Sequence, residues 1–173
     1  PELREGLGLI RTQELLAARN IDGGEQFFTR ANDFGYSKNP DETFNKWGKE
    51  EVLSDVVWTI RNFQPDVIVT RFNKTPGITH GHHTASAFKL AGDKNAFPEQ
   101  LKLTNTWQPK KIYWNTSSWF FSRSGDFDKS KYVTDNAGGY APLLGISYTE
   151  MAALSRSRHK SQAFGTAGNR GDE

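Results

Sequence analysis

The chain has 173 residues and a formal net charge of +2 at pH 7. A domain of this size buries roughly 70% of the surface of its unfolded chain, so it can hold a core without disulfides. The sequence contains no cysteine, which excludes disulfide frameworks, thiolate zinc sites, iron–sulfur clusters and thiol catalysis. No apolar run approaches the about 20 residues that span a membrane. The small positive charge gives no electrostatic argument for nucleic-acid binding.

The N-terminal part of the chain is predicted to hold a helix and a short strand. Apolar residues at helical spacing predict the helix over 7–19, and turn-forming residues at 20–24 end it. Residues 25–30 then favour a short strand, which a loop over 31–38 follows.

Two consecutive helices are predicted next. The first begins near residue 40, with Asn39 or Asp41 as its cap, and is interrupted at 47–48. The second covers 49–62 and carries one apolar stripe, as expected of a helix with one buried face.

The strongest strand signal lies at residues 66–70. This β-branched run has no polar alternation, which predicts a strand buried on both faces in a parallel sheet. The later elements are a helix over 82–90, a strand over 111–114, and a helix over 147–159 that begins with the reciprocal capping pair Ser147 and Glu150. This alternating order predicts an α/β domain, in which ligands bind beyond the carboxyl ends of the strands.

Three of the four histidines, His80, His82 and His83, follow that strand closely. At the start of a helix, His80 and His83 would lie about 60° apart around the axis and could converge on one site. Imidazole binds zinc and also serves as a general acid or base. A capping or core cluster is the structural alternative. A catalytic zinc needs three protein ligands, and no carboxylate lies near these histidines in the sequence.

Weaker candidates lie elsewhere in the chain. Arg11 and Glu14 are three apart on the first helix, where a surface ion pair is the plain interpretation. Asp33 follows the predicted strand at 25–30, where it is either a turn residue or a site residue. His159 ends the last helix, and interaction with the helix dipole accounts for it without a site role.

Several segments together resemble the PIG-L (LmbE-like) deacetylase family. The resemblance spans most of the chain. It is carried by Arg11-x-x-Glu14-x-x-Ala17, DFGYS at 33–37, QPDVIV at 64–69, HGHHTASA at 80–87, WQPKK at 107–111 and the segment 155–162.

The resemblance implies a Rossmann-like three-layer α/β sandwich with a mostly parallel sheet. It implies zinc-dependent hydrolysis of the acetamide of an N-acetylglucosamine-type sugar or glycoconjugate. His83 would bind the zinc, and His80 would stabilise or protonate the reacting centre. Arg11 and Asp33 match positions that contact substrate. His82 stands where the family usually has Asp.

One departure from the family pattern concerns the His-Pro-Asp-Asp-Glu motif, which supplies the other zinc ligands and the general base. This motif is absent from the sequence. We therefore expect one deacetylase domain over 1–162 that is incomplete at its N-terminus, with the remaining ligands upstream of Pro1. A flexible tail over 163–173, further domains in the parent protein and a periplasmic or extracellular location are also expected. The alternative is a catalytically inactive sugar-binding or structural module with the same fold.

Overall fold

The computed structural model describes residues 5–32, 34, 40–71, 79–116, 128–135, 137–162 and 164–166. The chain divides into two compact units, one formed by 1–26 with 128–173 and the other by 27–127. Whether residues 1–162 act as one domain stays a prediction. The described elements are α1 (Glu5–Asp22), α2 (Pro40–Trp47), α3 (Lys49–Phe63), β1 (Val67–Thr70), α4 (Thr79–Leu90), β2 (Lys111–Trp114), β3 (Tyr140–Ala141), β4 (Ile146–Ser147) and α5 (Tyr148–Ser157).

The unit formed by 27–127 contains a parallel strand pair joined by a helical crossover. Strands β1 and β2 pair in parallel, with Val67 opposite Lys111 and Thr70 opposite Trp114. Helix α4 lies between them in sequence, and parallel strands need such a crossover. The prediction of an α/β domain with parallel strands is confirmed at this level. The three-layer sandwich stays a prediction.

The core of this unit lies between α3 and α4. Leu53, Val57 and Ile60 on α3 pack against Ala87 and Ala91 at the end of α4. The small alanine side chains allow the two helices to approach closely. The apolar stripe predicted for residues 49–62 is therefore confirmed.

Strand β1 is buried on one face only. Ile68 packs against the core, whereas Val67 and Val69 are 47% and 63% exposed. The prediction that this strand is buried on both faces is wrong for the described structure. β-branched residues favour the extended backbone whether or not they are buried, so their continuous run did not prove burial.

Residues 25–30 do not form the predicted strand. A strand needs a hydrogen-bonded neighbour, and this segment pairs with no strand among the described residues. It is held instead by Arg30, whose backbone N–H and guanidinium both donate to Asp55 on α3. Phe27 meets Phe63 edge to face, with ring centroids 5.7 Å apart.

Arg61 is fully buried at the carboxyl end of α4. It donates to six oxygens, none of which is a carboxylate: the carbonyls of Leu90, Ala91, Asp93, Ala96 and Phe97 and the side-chain oxygen of Gln100. One of these acceptors, Leu90, is the last residue of α4, and the others lie in the segment that follows, so Arg61 fixes the chain after α4 against α3. Burial is the main cause that lowers the pKa of Arg61.

In the other unit, α1 packs against α5. Asp22 at the end of α1 accepts hydrogen bonds from the Ser155 hydroxyl and from the backbone N–H of Gly24. Gly23, with a φ of 73°, ends α1 three residues later than predicted. The predicted capping box of Ser147 and Glu150 is confirmed at the start of α5.

Two further boundaries differ from the sequence-based expectation. The short hairpin of β3 and β4 was not predicted. Helix α4 begins at Thr79, earlier than the predicted residue 82. Of the predicted tail over 163–173, residues 163 and 167–173 lie outside the described residues.

Candidate functional site

The backbone places two of the candidate histidines in the first turns of α4. Strand β1 ends at Thr70, and α4 begins at Thr79. Positions 80 and 83 are three apart in this helix, so they lie about 60° apart around its axis. The side chains of His80, His82 and His83 lie outside the described residues, and so does Asp33. Their proposed roles therefore stay predictions.

An open groove of about 250 Å³ lies beside the same helix. Thr84, four positions after His80, lines it together with Ile68 of β1. The other lining residues come mainly from α3 and the segment before it: Phe27, Phe28, Thr29, Val56, Thr59, Ile60, Phe63 and Pro65. This lining offers few polar groups. The groove by itself is therefore suited to apolar contact rather than to recognition of a hydroxyl-rich sugar.

Arg11 lies on α1 and meets Gln162, a residue of the segment that follows α5. With the Gln162 amide turned to satisfy both of its polar atoms, its oxygen accepts hydrogen bonds from Nη1 and Nη2 of Arg11 at 3.2 and 3.3 Å. The Nε of Arg11 is buried and has no hydrogen-bond partner among the described residues. Arg11 is therefore oriented but retains donors that no described protein group uses.

Glu14, one turn further along α1, is only 8% exposed. Its two carboxylate oxygens accept from the backbone N–H and the hydroxyl of Ser161, each at 2.7 Å. The Ser161 hydroxyl is the main cause that lowers the pKa of Glu14. The Ser161 backbone N–H and the charges of His159 and Arg11 act in the same direction.

The interpretation of Arg11 and Glu14 as a surface ion pair is wrong. Among the described residues no salt bridge joins them; Ser161 donates to both oxygens of Glu14, and the charge of Arg11 acts on Glu14 without direct contact. Sequence reasoning did not assign a role to Ser161. The available signal was Glu14 itself, a charged residue on the same helical stripe as the fully buried Ala18.

The described side chains do not by themselves make a zinc site. Within the described ranges, no group of three or more His, Asp or Glu side chains could hold a metal ion. A catalytic zinc needs three protein ligands. The expected ligand His83 would add one imidazole, which has the right donor chemistry.

The comparisons with known proteins give one match. A family model described as PIG-L: GlcNAc-PI de-N-acetylase matches residues 1–91, which is just over half of the chain. No curated protein matches the chain, and no solved structure does. In the part of the chain that the structure describes, no helix is both long and apolar enough to cross a membrane.

Proposed function

Because the chain belongs to the PIG-L family, we propose that the complete protein is a zinc-dependent N-deacetylase acting on an N-acetylglucosamine-type sugar or glycoconjugate, and that the chain as given is inactive by itself. The observation that carries this proposal is the family match, which includes α4 and its two histidine positions three residues apart. The parallel pair of β1 and β2, with α4 as the crossover between them, is consistent with a site beyond the carboxyl end of β1.

The proposed reaction is hydrolysis of an acetamide. Water adds to the carbonyl carbon, the bond to nitrogen breaks, and acetate and a free amine are released. A bound zinc ion would supply polarisation of the carbonyl and acidification of water. We propose His83 as one of its ligands. We propose that His80 stabilises the developing negative charge on oxygen or gives a proton to the leaving amine.

We propose that Arg11 and Asp33 contact the sugar. The geometry of Arg11 supports its part, since a guanidinium with unused donors suits hydroxyl and carbonyl oxygens. Asp33 rests on the family pattern alone. Both residues lie within the 1–91 segment that the family model matches.

The first experiment is to measure zinc per chain after dialysis against trace-metal buffer, together with acetate release from N-acetylglucosamine. About one zinc per chain with acetate release supports the deacetylase proposal and contradicts inactivity of the chain by itself. No zinc and no acetate would mean that this chain is inactive by itself and that the deacetylase proposal applies only to the longer protein around it. The same result for the complete protein would overturn the proposal and favour the inactive sugar-binding or structural module. Binding of N-acetylglucosamine without turnover, measured by titration calorimetry, would favour sugar binding specifically.

A further inference from the structure

Arg11 is oriented by a neutral group although a carboxylate lies one turn away. The side-chain oxygen of Gln162 accepts from both terminal nitrogens of Arg11. Arginine and glutamate at this spacing ordinarily attract each other. Here Ser161 donates hydrogen bonds to both oxygens of Glu14. Among the described residues, no salt bridge joins Arg11 to a carboxylate.

The guanidinium of Arg11 has donors left over. An arginine carries five N–H donors, and Gln162 uses one on each of the two terminal nitrogens. The Nε of Arg11 is buried and finds no acceptor among the described residues. A buried donor without an acceptor costs free energy, which is recovered when a ligand or water accepts from it.

We propose that Gln162 is a positioning residue for Arg11, holding the guanidinium in place for the oxygen atoms of the N-acetylated sugar. This inference rests on the proposed function, in which Arg11 contacts the substrate. Glu14 and Ser161 complete the arrangement because their hydrogen bonds fix the backbone next to Gln162.

The neutral charge of Gln162 matters for this role. A carboxylate at position 162 would form a bidentate ion pair and cancel the charge of Arg11. An amide oxygen orients the guanidinium but leaves its charge in place. Gln162 therefore fixes the direction of the guanidinium without forming a salt bridge with it.

The test is an NMR measurement of hydrogen exchange at the Arg11 Nη1 and Nη2 protons, the ones that Gln162 accepts, in the ¹⁵N-labelled 173-residue chain. Gln162→Leu removes the acceptor of both groups, and we expect exchange at each to become about tenfold faster, because each loses one hydrogen bond. Backbone amide exchange in α1 should stay the same, which separates positioning from a purely structural effect. Gln162→Glu keeps an acceptor and should restore slow exchange. Lys160→Ala, an exposed neighbour, serves as the matched control.

Unchanged exchange at Arg11 in Gln162→Leu would overturn the inference. If backbone amide exchange in α1 also becomes faster in Gln162→Leu, the Gln162→Glu variant is the deciding test. Fast exchange at Arg11 in Gln162→Glu would also overturn the inference. Added N-acetylglucosamine should shift the Arg11 Nε–H resonance in the wild type and shift it less in Gln162→Leu. Exchange that depends on Gln162 without any response to the sugar would uphold the positioning of Arg11 and count against the proposed function.

Discussion

Ser161 donates its backbone N–H and its hydroxyl to the two carboxylate oxygens of Glu14, although 147 positions separate the residues in sequence. A carboxylate is tolerated in a buried position when its oxygens receive donors. The contact therefore fixes the segment after α5 on α1. Arg11, one turn before Glu14 on the same helix, forms no salt bridge with it among the described residues.

The stability of this contact should depend on pH. The pKa of Glu14 lies below its ordinary value of 4.5, mainly because the Ser161 hydroxyl donates to it. A carboxyl with a lowered pKa contributes stability above its unfolded pKa and loses it as pH falls through the folded value. We expect Glu14→Gln to lower the thermal midpoint at pH 7 and the difference from the wild type to shrink below about pH 4.5.

The measurement is thermal unfolding of both proteins from pH 7 down to pH 3. Other acid-sensitive groups are present in both chains, so they cancel in the difference. Glu25→Gln, which alters an exposed carboxylate, is the control and should give a small difference at every pH. A Glu14→Gln difference that stays constant with pH would refute the assigned cause.

Replacement of Arg61 should be severe. Arg61→Met keeps much of the volume but removes six hydrogen bonds and leaves the Ala96 carbonyl and the Gln100 side-chain oxygen without their Arg61 donor. The other four oxygens each keep one backbone donor. We expect a loss of about 3–5 kcal/mol in the free energy of unfolding, as when one partner of a buried charged network is removed. Arg61→Lys should recover only part of it, since a compact ammonium cannot reach all six oxygens.

Urea unfolding measures this loss through the midpoint and slope. Arg156→Met on the exposed side of α5 is the matched control, and it should change stability by no more than about 0.5 kcal/mol. If Arg61→Met and Arg156→Met lower the free energy of unfolding equally, the buried hydrogen bonds of Arg61 do not stabilise the protein.

Removal of the capping box at the start of α5 should lower the free energy of unfolding by a smaller amount. Ser147→Ala removes the oxygen that accepts from the backbone N–H of Glu150. We expect a loss of about 0.5–2 kcal/mol, measured by chemical unfolding. Thr134→Ala, at an exposed position outside the helices and strands, is the control. A Ser147→Ala protein as stable as the control would contradict the role of the cap.

The separate roles proposed for His80 and His83 predict different effects of replacing each residue. In the complete protein, His83→Ala should abolish zinc binding, since a metal ligand is lost. His80→Ala should leave zinc in place and lower turnover by roughly 10²- to 10⁴-fold, the usual contribution of a general acid. Metal analysis and acetate release measure the two effects. Equal loss of metal in both variants would rule out these separate roles.

The elements with local signals were predictable from the sequence. The apolar stripe of α3 and the capping pair Ser147 and Glu150 depend on residues close together in the chain. Strand β2 was predicted with its observed bounds, Lys111–Trp114. In each, local propensity and tertiary packing favour the same structure.

Features set by distant partners were not predictable. The segment 25–30 has strand-like residues, but its backbone pairs with no described strand, and Arg30 binds Asp55 instead. Arg61 gives no sign in the sequence that it is fully buried, because its acceptors are backbone carbonyls, which every residue carries.

In the candidate site, too, local features were predictable from the sequence and contacts between distant residues were not. The spacing of His80 and His83 was visible in the sequence, and the backbone of α4 agrees with it. The arrangement of Arg11 with Gln162 joins residues 151 positions apart, which a single sequence does not reveal. The resemblance of the segment 155–162, which includes Gln162, to the family was the only hint.

The two compact units have different consequences for synthesis on the ribosome. Residues 27–127 form a contiguous unit, whereas the other unit needs both 1–26 and 128–173. Because chains emerge from the N-terminus, α1 is made long before Ser161 reaches it. During that interval the apolar side chains of α1 have no α5 to pack against. The nascent α1 is thus a natural binding segment for a chaperone until the last 46 residues, 128–173, have been translated.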